Sequence, residues 1–197
     1  VTAPITVKQL KTRIVARNLT TTANNVTEDG RTGQYLSWTL VDEKGNVLAN
    51  KPVSIGFNAN VYNRVTNSSG QARLQINLQN SGPYTFAISF LGDENYEGCF
   101  EVVKIDVNKQ KAQLTSASKT YKASAATKTL TATYKTKAGK PIVGKTIKFT
   151  VNGKTYSAKT DANGVAKVNV SLTKAGSYTV EVKATETNTY AENIKTI

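Results

Sequence analysis

The side chains of this chain that are able to carry out chemistry are few. Histidine is absent from all 197 residues, which removes the commonest general base and any imidazole metal ligand. The single cysteine, Cys99, has no histidine to activate its thiol as a nucleophile, and it has no partner for a disulfide within the chain. We therefore predict that the protein is not an enzyme.

Acidic residues occur as adjacent pairs. The pairs are Glu28-Asp29, Asp42-Glu43 and Asp93-Glu94. None has the spacing of a calcium loop, so solvated loops are the expected interpretation. The stretch 24–29 also contains two asparagines, and calcium coordination there is left open as an alternative. We predict no metal site and no cofactor.

Charge is divided unequally along the chain. Residues 1–107 contain 10 Lys or Arg against 9 Asp or Glu, a net charge of +1, whereas residues 108–197 contain 16 against 4, a net charge of +12. Together they account for the total of +13. All 16 cations of the second part are lysines, which suit diffuse attraction better than bidentate recognition.

This lysine excess predicts contact with a polyanion such as an acidic polysaccharide, a cell-wall polymer or another cell's surface. The candidate contacts are Lys119, Lys122, Lys128, Lys135, Lys137, Lys140, Lys148, Lys154 and Lys159. The alternative is a solvated surface whose outward lysines prevent edge-to-edge strand pairing. Specific nucleic-acid binding is not expected, because Tyr134, Phe149 and Tyr178 fall on predicted inward positions and are not free to stack on bases.

Sequons permit N-glycosylation if the chain is exported. The candidate sites are Asn18, Asn25 and Asn67.

The elements that position these residues repeat along the chain. Residues 36–98 align without a gap on residues 130–192 at an offset of 94, and 14 of the 63 pairs are identical, among them Gly70/Gly164 and Tyr96/Tyr190. Such self-similarity indicates tandem copies of one module.

Each copy shows the alternation typical of strands. Runs such as Leu130 to Tyr134 and Lys145 to Val151 alternate apolar and polar residues and are bounded by Gly, Asn and Asp turns. Trp38 alternates inward with Leu36 and Leu40 and is expected in the core. No segment shows helical periodicity. The pattern predicts an all-β protein of two tandem Ig-like β-sandwiches arranged end to end.

Domain edges follow from a second offset. Ile5 to Val7 match Ile105 to Val107 at an offset of 100, so the first copy has about six extra residues after an opening strand, in an inserted loop near 20–33. The predicted domains are 1–107 and 108–197, the second being lysine-rich. The junction at 107–112 lacks Pro or a Gly/Ser run, which favours limited swing. The chain has no Met, so we expect it to be part of a longer protein.

At this point the residues resemble a known family. The segments 144–156 (GKTIKFTVNGKTY), 160–166 (TDANGVA) and 176–180 (GSYTV) resemble the Ig-like repeats of cell-surface adhesin-like proteins, particularly those of methanogenic archaea and more loosely bacterial Ig-like domains. Residues 90–96 (FLGDENY) look like an element that ends such repeats, of which residues 184–190 keep only the tyrosine.

The resemblance implies a non-catalytic adhesin segment, either a stalk or an adhesion module for attachment to cells or surfaces. The expected location is extracellular, with attachment to the cell through regions outside this sequence. Alternatives are a dedicated glycan- or ligand-binding pair with its site in the inserted loop, and an accessory module of a secreted enzyme. No run of about 18 apolar residues occurs, so no membrane span is expected within these residues.

Overall fold

The computed structural model describes residues 4–197, so Val1 lies outside the described residues. The first eight strands are β1 (Thr12–Ala16), β2 (Leu19–Thr22), β3 (Tyr35–Asp42), β4 (Pro52–Phe57), β5 (Asn60–Val65), β6 (Gln71–Gln75), β7 (Gly82–Phe90) and β8 (Cys99–Asn108). They form a three-stranded sheet in the order β1-β3-β6 and a five-stranded sheet in the order β2-β8-β7-β4-β5. Strand β2 pairs in parallel with β8, and the other pairings are antiparallel.

The apolar faces of these two sheets are buried as the alternation predicts. Leu36, Trp38 and Leu40 of β3 are at most 2% exposed. Val53 and Ile55 of β4, in the other sheet, are at most 1% exposed. The prediction that Trp38 is a core residue is confirmed.

The remaining strands are β9 (Gln113–Ser116), β10 (Lys128–Lys135), β11 (Thr146–Val151), β12 (Lys154–Lys159), β13 (Val165–Val170), β14 (Val180–Ala184) and β15 (Asn193–Thr196). They form sheets in the orders β13-β10-β9 and β12-β11-β14-β15. One apolar core joins residues of both sheets, including Tyr134 of β10 and Phe149 of β11. The all-β sandwich prediction is confirmed.

The described chain divides into two compact units. The first unit consists of the described residues up to Thr22 together with 33–77 and 82–108, and the second unit consists of 23–32, 78–81 and 109–197. By its contacts, most of the inserted stretch therefore belongs to the second unit, although it occurs within the first copy of the repeat. The sequence-based boundary between residues 107 and 108 stays a prediction.

Turn hydrogen bonds recur at the offset of 94. The side-chain oxygen of Thr66 accepts the N–H of Lys51 at 2.9 Å, and that of Thr160 accepts the N–H of Lys145 at 2.9 Å. Further along each copy, Asn67 and Asp161 accept two backbone N–H groups each in turns of the same form. Identical turn chemistry explains why these positions align without a gap.

Two expectations are wrong. Ile5 and Val7 are each 91% exposed and lie in no strand, since none of the strand pairings among the described residues includes them. The inserted loop contains a short helix, α1 (Val26–Asp29), where no helix was expected. Asn25 caps it, since its side-chain oxygen accepts the N–H of Thr27 at 3.1 Å.

No described helix has the length and apolar character needed to cross a membrane.

Candidate functional site

The nine candidate lysines are spread over strands and loops of the second unit. Lys128 and Lys135 begin and end β10, Lys148 lies on β11, and Lys154 and Lys159 begin and end β12. Lys137 and Lys140 lie in the turn after β10, and Lys119 and Lys122 lie in the loop before it. Seven of them are exposed, whereas Lys135 is half-buried and Lys128 is only 9% exposed. The ion pairs found within residues 4–197 include none of the nine.

The sheet that contains β11 has two lysines side by side. Lys148 lies directly opposite Lys183 of β14, a like-charge arrangement that destabilises a strand pair. Glu192 relieves it on one side, because its carboxylate lies 2.5 Å from the Lys183 ammonium and raises the pKa of that lysine. Lys148 stays exposed without an ion pair among the described residues.

Lys128 is unlike the other candidates because β10 turns it inward. It precedes Leu130, Ala132 and Tyr134 on the buried face of that strand. Its ammonium donates to the backbone oxygens of Ala123 at 3.0 Å and Ala125 at 2.8 Å. These bonds use two of its three N–H groups and involve no carboxylate.

A pocket of about 460 Å³ opens beside Lys128, and we call it the end pocket. Its walls include Lys119, Tyr121, Lys128, Leu172, Lys174 and Tyr178. Both tyrosine hydroxyls are held by backbone: Tyr121 donates to the oxygen of Thr129 at 2.6 Å, and Tyr178 donates to the oxygen of Lys174 at 2.9 Å. The pocket is therefore a cationic concavity with fixed aromatic walls.

Electrostatics around these lysines are one-sided. Residues 107–160 contain 12 lysines and no acidic residue. The acidic residue after that stretch, Asp161, uses its carboxylate to accept the N–H groups of Asn163 and Val165, each at 2.9 Å, and these bonds lower its pKa. The carboxylate of Asp161 is therefore used to stabilise its own turn.

The inserted loop forms a polar cluster within the second unit. The hydroxyl of Tyr190 donates to the carboxylate of Glu28, and the side-chain amide of Gln110 donates to Asp29 at 2.5 Å. Burial raises the pKa of Tyr134 to about 12, with a further contribution from Glu28. Burial also raises the pKa of Tyr190, assisted by its hydrogen bond to Glu28.

The remaining acidic pairs shape turns. Asp42 accepts the N–H groups of Lys44 and Asn46 at 2.9 and 2.8 Å. Asp93 pairs with the Lys51 ammonium at 2.5 Å, and this contact is the main cause of its lowered pKa. Among residues 4–197, no group of three Cys, Asp or Glu side chains is placed to hold a metal ion. Cys99 is half-buried at the start of β8.

The three glycosylation candidates all use their amide oxygens in local structure. Asn18 accepts the N–H of Lys104 at 2.9 Å, while Asn25 caps α1 and Asn67 holds a turn. Asn18 and Asn67 are exposed and Asn25 is half-buried. Glycosylation at these positions stays a prediction.

Sandwiches of this topology define the class as Ig-like modules. Residues 111–197 match the family model of the bacterial Ig-like domain, group 1. The resemblance to bacterial Ig-like domains is therefore confirmed, and the resemblance to archaeal repeats stays a prediction.

Solved structures of bacterial proteins are similar to this chain. Invasin, a bacterial integrin-binding protein, is 20% identical with a TM-score of 0.55, over 93% of this chain and 38% of the invasin chain. The D0–D1 domain of intimin is 20% identical with a TM-score of 0.35, over 93% of this chain and 96% of that one. At that identity the likeness to invasin establishes the fold alone, and this chain spans well under half the length of invasin. No curated protein matches it.

Sequence reasoning missed two features of the site. It placed Lys128 with the surface lysines. Residue 128 is two positions before Leu130 and four before Ala132, so the alternation of β10 turns it inward as well. It also missed the end pocket, whose walls come from loops and strand ends far apart in the sequence. For the pocket there was no sequence signal beyond the excess of lysine.

Proposed function

We propose that this chain is a non-catalytic segment of a cell-surface adhesin, in which an Ig-like module attaches to anionic polymers on another surface through its lysines. The segment acts outside the cell and is anchored through regions beyond this sequence. Invasin offers a precedent, since an integrin-binding protein of bacteria contains the same fold.

One observation carries the proposal: 12 lysines and no acidic residue in residues 107–160. Most of these lysines are exposed, and the nine candidates have no ion pair among the described residues. A one-signed field attracts a polyanion, and many weak contacts along an array add up through multivalency.

The test compares two variants of the full chain that lose the same charge. One replaces Lys137, Lys140 and Lys159 by Gln in the second unit, and the other replaces Lys11, Lys44 and Lys104 by Gln in the first. All six side chains are exposed. Binding to intact cells and to immobilised acidic polysaccharide is measured across a salt series.

We expect binding that weakens as salt rises, since screening shortens the reach of exposed charges. The second-unit variant should lose binding while the first-unit variant keeps it. An equal loss of binding in both variants would mean that only the net charge of the chain matters. Absence of binding by the parent chain would reject adhesion in favour of a structural stalk.

A further inference from the structure

The end pocket combines a buried cation with two exposed ones. The Lys128 ammonium is held by the oxygens of Ala123 and Ala125 and has one N–H group left over. Lys119 and Lys174, both exposed, contribute to the walls of the same cavity. No Asp or Glu side chain lines it, and none forms an ion pair with Lys119, Lys128 or Lys174 among the described residues.

The rest of the pocket combines apolar and aromatic walls with the hydroxyl side chains of Ser118, Thr120 and Ser177. Leu130, Val170 and Val180 are buried beneath it, at 5–7% exposure. Tyr121 and Tyr178 line it with their hydroxyls committed to backbone oxygens, so their orientation is fixed. Its volume of about 460 Å³ falls in the range of small-molecule sites.

We propose that the end pocket binds an acidic saccharide group, a sugar ring that bears a carboxylate or a sulfate. The anion meets the ammonium groups of Lys119, Lys128 and Lys174, and the faces of the sugar ring contact the tyrosine and leucine walls. Lysine suits this ligand because its ammonium is a compact point charge. It can pair with a carboxylate or a sulfate without the fixed planar geometry that arginine imposes. The inference rests on the proposed function and deepens it: the pocket selects individual groups of the polymer that the lysine surface attracts.

The test is an NMR titration of the ¹⁵N-labelled 197-residue chain with a sulfated uronate disaccharide from heparin. Glucuronic acid, glucose and inorganic sulfate serve as separate arms. We expect saturable shifts of the amides of Lys119, Tyr121, Lys174 and Tyr178 with the disaccharide and glucuronic acid, and none with glucose. Equal affinity for inorganic sulfate would overturn the saccharide assignment and leave a simple anion site.

Exposed positions allow variants that spare the fold. Lys119→Gln combined with Lys174→Gln should weaken disaccharide binding roughly fivefold, in line with the loss of two exposed charge contacts. Ala175→Phe fills the cavity without a change of charge and should abolish the saturable shifts. The matched control replaces two exposed lysines of the first unit, Lys11 and Lys44, by Gln and should change the affinity by less than twofold.

These results separate the two proposals. Shifts spread over all exposed lysines without saturation would overturn the pocket even if the chain binds polysaccharide in the salt series. Saturable binding at the pocket in a chain that attaches to no surface would support the pocket and reject the adhesive function. A control variant that weakens binding as much as the pocket variant would also overturn the pocket.

Discussion

The hydroxyl of Tyr190 donates a hydrogen bond to the carboxylate of Glu28, although 162 residues separate them in the sequence. Tyr190 is fully buried, and its ring packs edge-on against Tyr134 with 6.0 Å between centroids. Glu28 lies on α1 of the inserted loop. A partly buried, long-range polar contact therefore fixes this insertion within the second compact unit.

Tyr190→Phe should lower the free energy of unfolding of the second unit by about 1.5–3 kcal/mol, the usual net value of a hydrogen bond to a charged group. The phenyl ring keeps its packing, so the loss isolates the contact with Glu28. Urea denaturation followed by circular dichroism measures it. Tyr62→Phe, on the exposed edge strand β5, is the control and should leave stability unchanged. Equal stability of both variants would show that the contact adds nothing.

Alkaline pH should destabilise the second unit through its buried phenols. The pKa of Tyr134 is raised by burial to about 12, whereas an unfolded tyrosine loses its proton near pH 10. The unfolded state then releases a proton that the folded state retains, so this stabilisation is complete below pH 10 and declines as pH rises from about 10 to 12. The expected slope is up to about 1.4 kcal/mol per pH unit for each such group.

Stability measured by urea denaturation at pH 9 and pH 11.5 checks this slope. Tyr134→Phe removes the titrating group and should make the pH dependence shallower. Lysine deprotonation affects parent and variant alike, so the difference between their slopes isolates the phenol. A variant with the parental slope would contradict the assignment.

Much of this fold was predictable because its core residues alternate. Leu130, Phe149 and Trp38 lie inward as the period of two requires. Helix α1 was not predictable from periodicity, since four residues span barely one turn and Asn25 stabilises them through its cap. The packing of α1 against Tyr190 depends on a contact between residues 162 positions apart, which no local sequence pattern encodes.

The candidate site was predictable only as a charge. Composition placed lysines on the second copy, but strand parity decided that Lys128 points inward while Lys148 points outward. The end pocket depends on how the loop that contains Lys119 folds over the strand ends, and that loop has no periodic pattern. The sequence therefore predicts the sign of the charge on a partner and not where such a partner would bind.

Trp38→Ala should destabilise the first unit by about 3–5 kcal/mol, because it leaves a large cavity where a side chain 1% exposed had packed. Circular dichroism during urea denaturation measures the loss, since the variant has no tryptophan to report by fluorescence. Tyr35→Ala on the same strand is the control. Tyr35 is 45% exposed, so a comparable loss there would contradict the core role of Trp38.

The repeat predicts which substitution the turn at Asp161 tolerates. Asn67 accepts the same two backbone N–H groups at the matching position of the first copy. Asp161→Asn should therefore keep the parental Tm at pH 7, whereas Asp161→Ala should lower it. Hydrogen bonds lower the pKa of Asp161, so its stabilisation is present above about pH 4 and is lost as pH falls through its folded pKa. Thermal unfolding at pH 7 and pH 3 should show that loss in the parent and not in Asp161→Asn.

Gly164 should tolerate no side chain, for a reason beyond its backbone angle. Its φ is +74°, and a Cβ placed there would lie 2.4 Å from the backbone oxygen of Tyr134. Gly139 has a similar φ of +83° but open space around the same position. Gly139→Ala should thus cost only the left-handed strain of about 1 kcal/mol, and Gly164→Ala about 1–3 kcal/mol more, because β10 must shift. Urea denaturation of both variants measures the two losses of stability. Equal losses would mean that β10 shifts to accommodate the new Cβ at no cost in free energy.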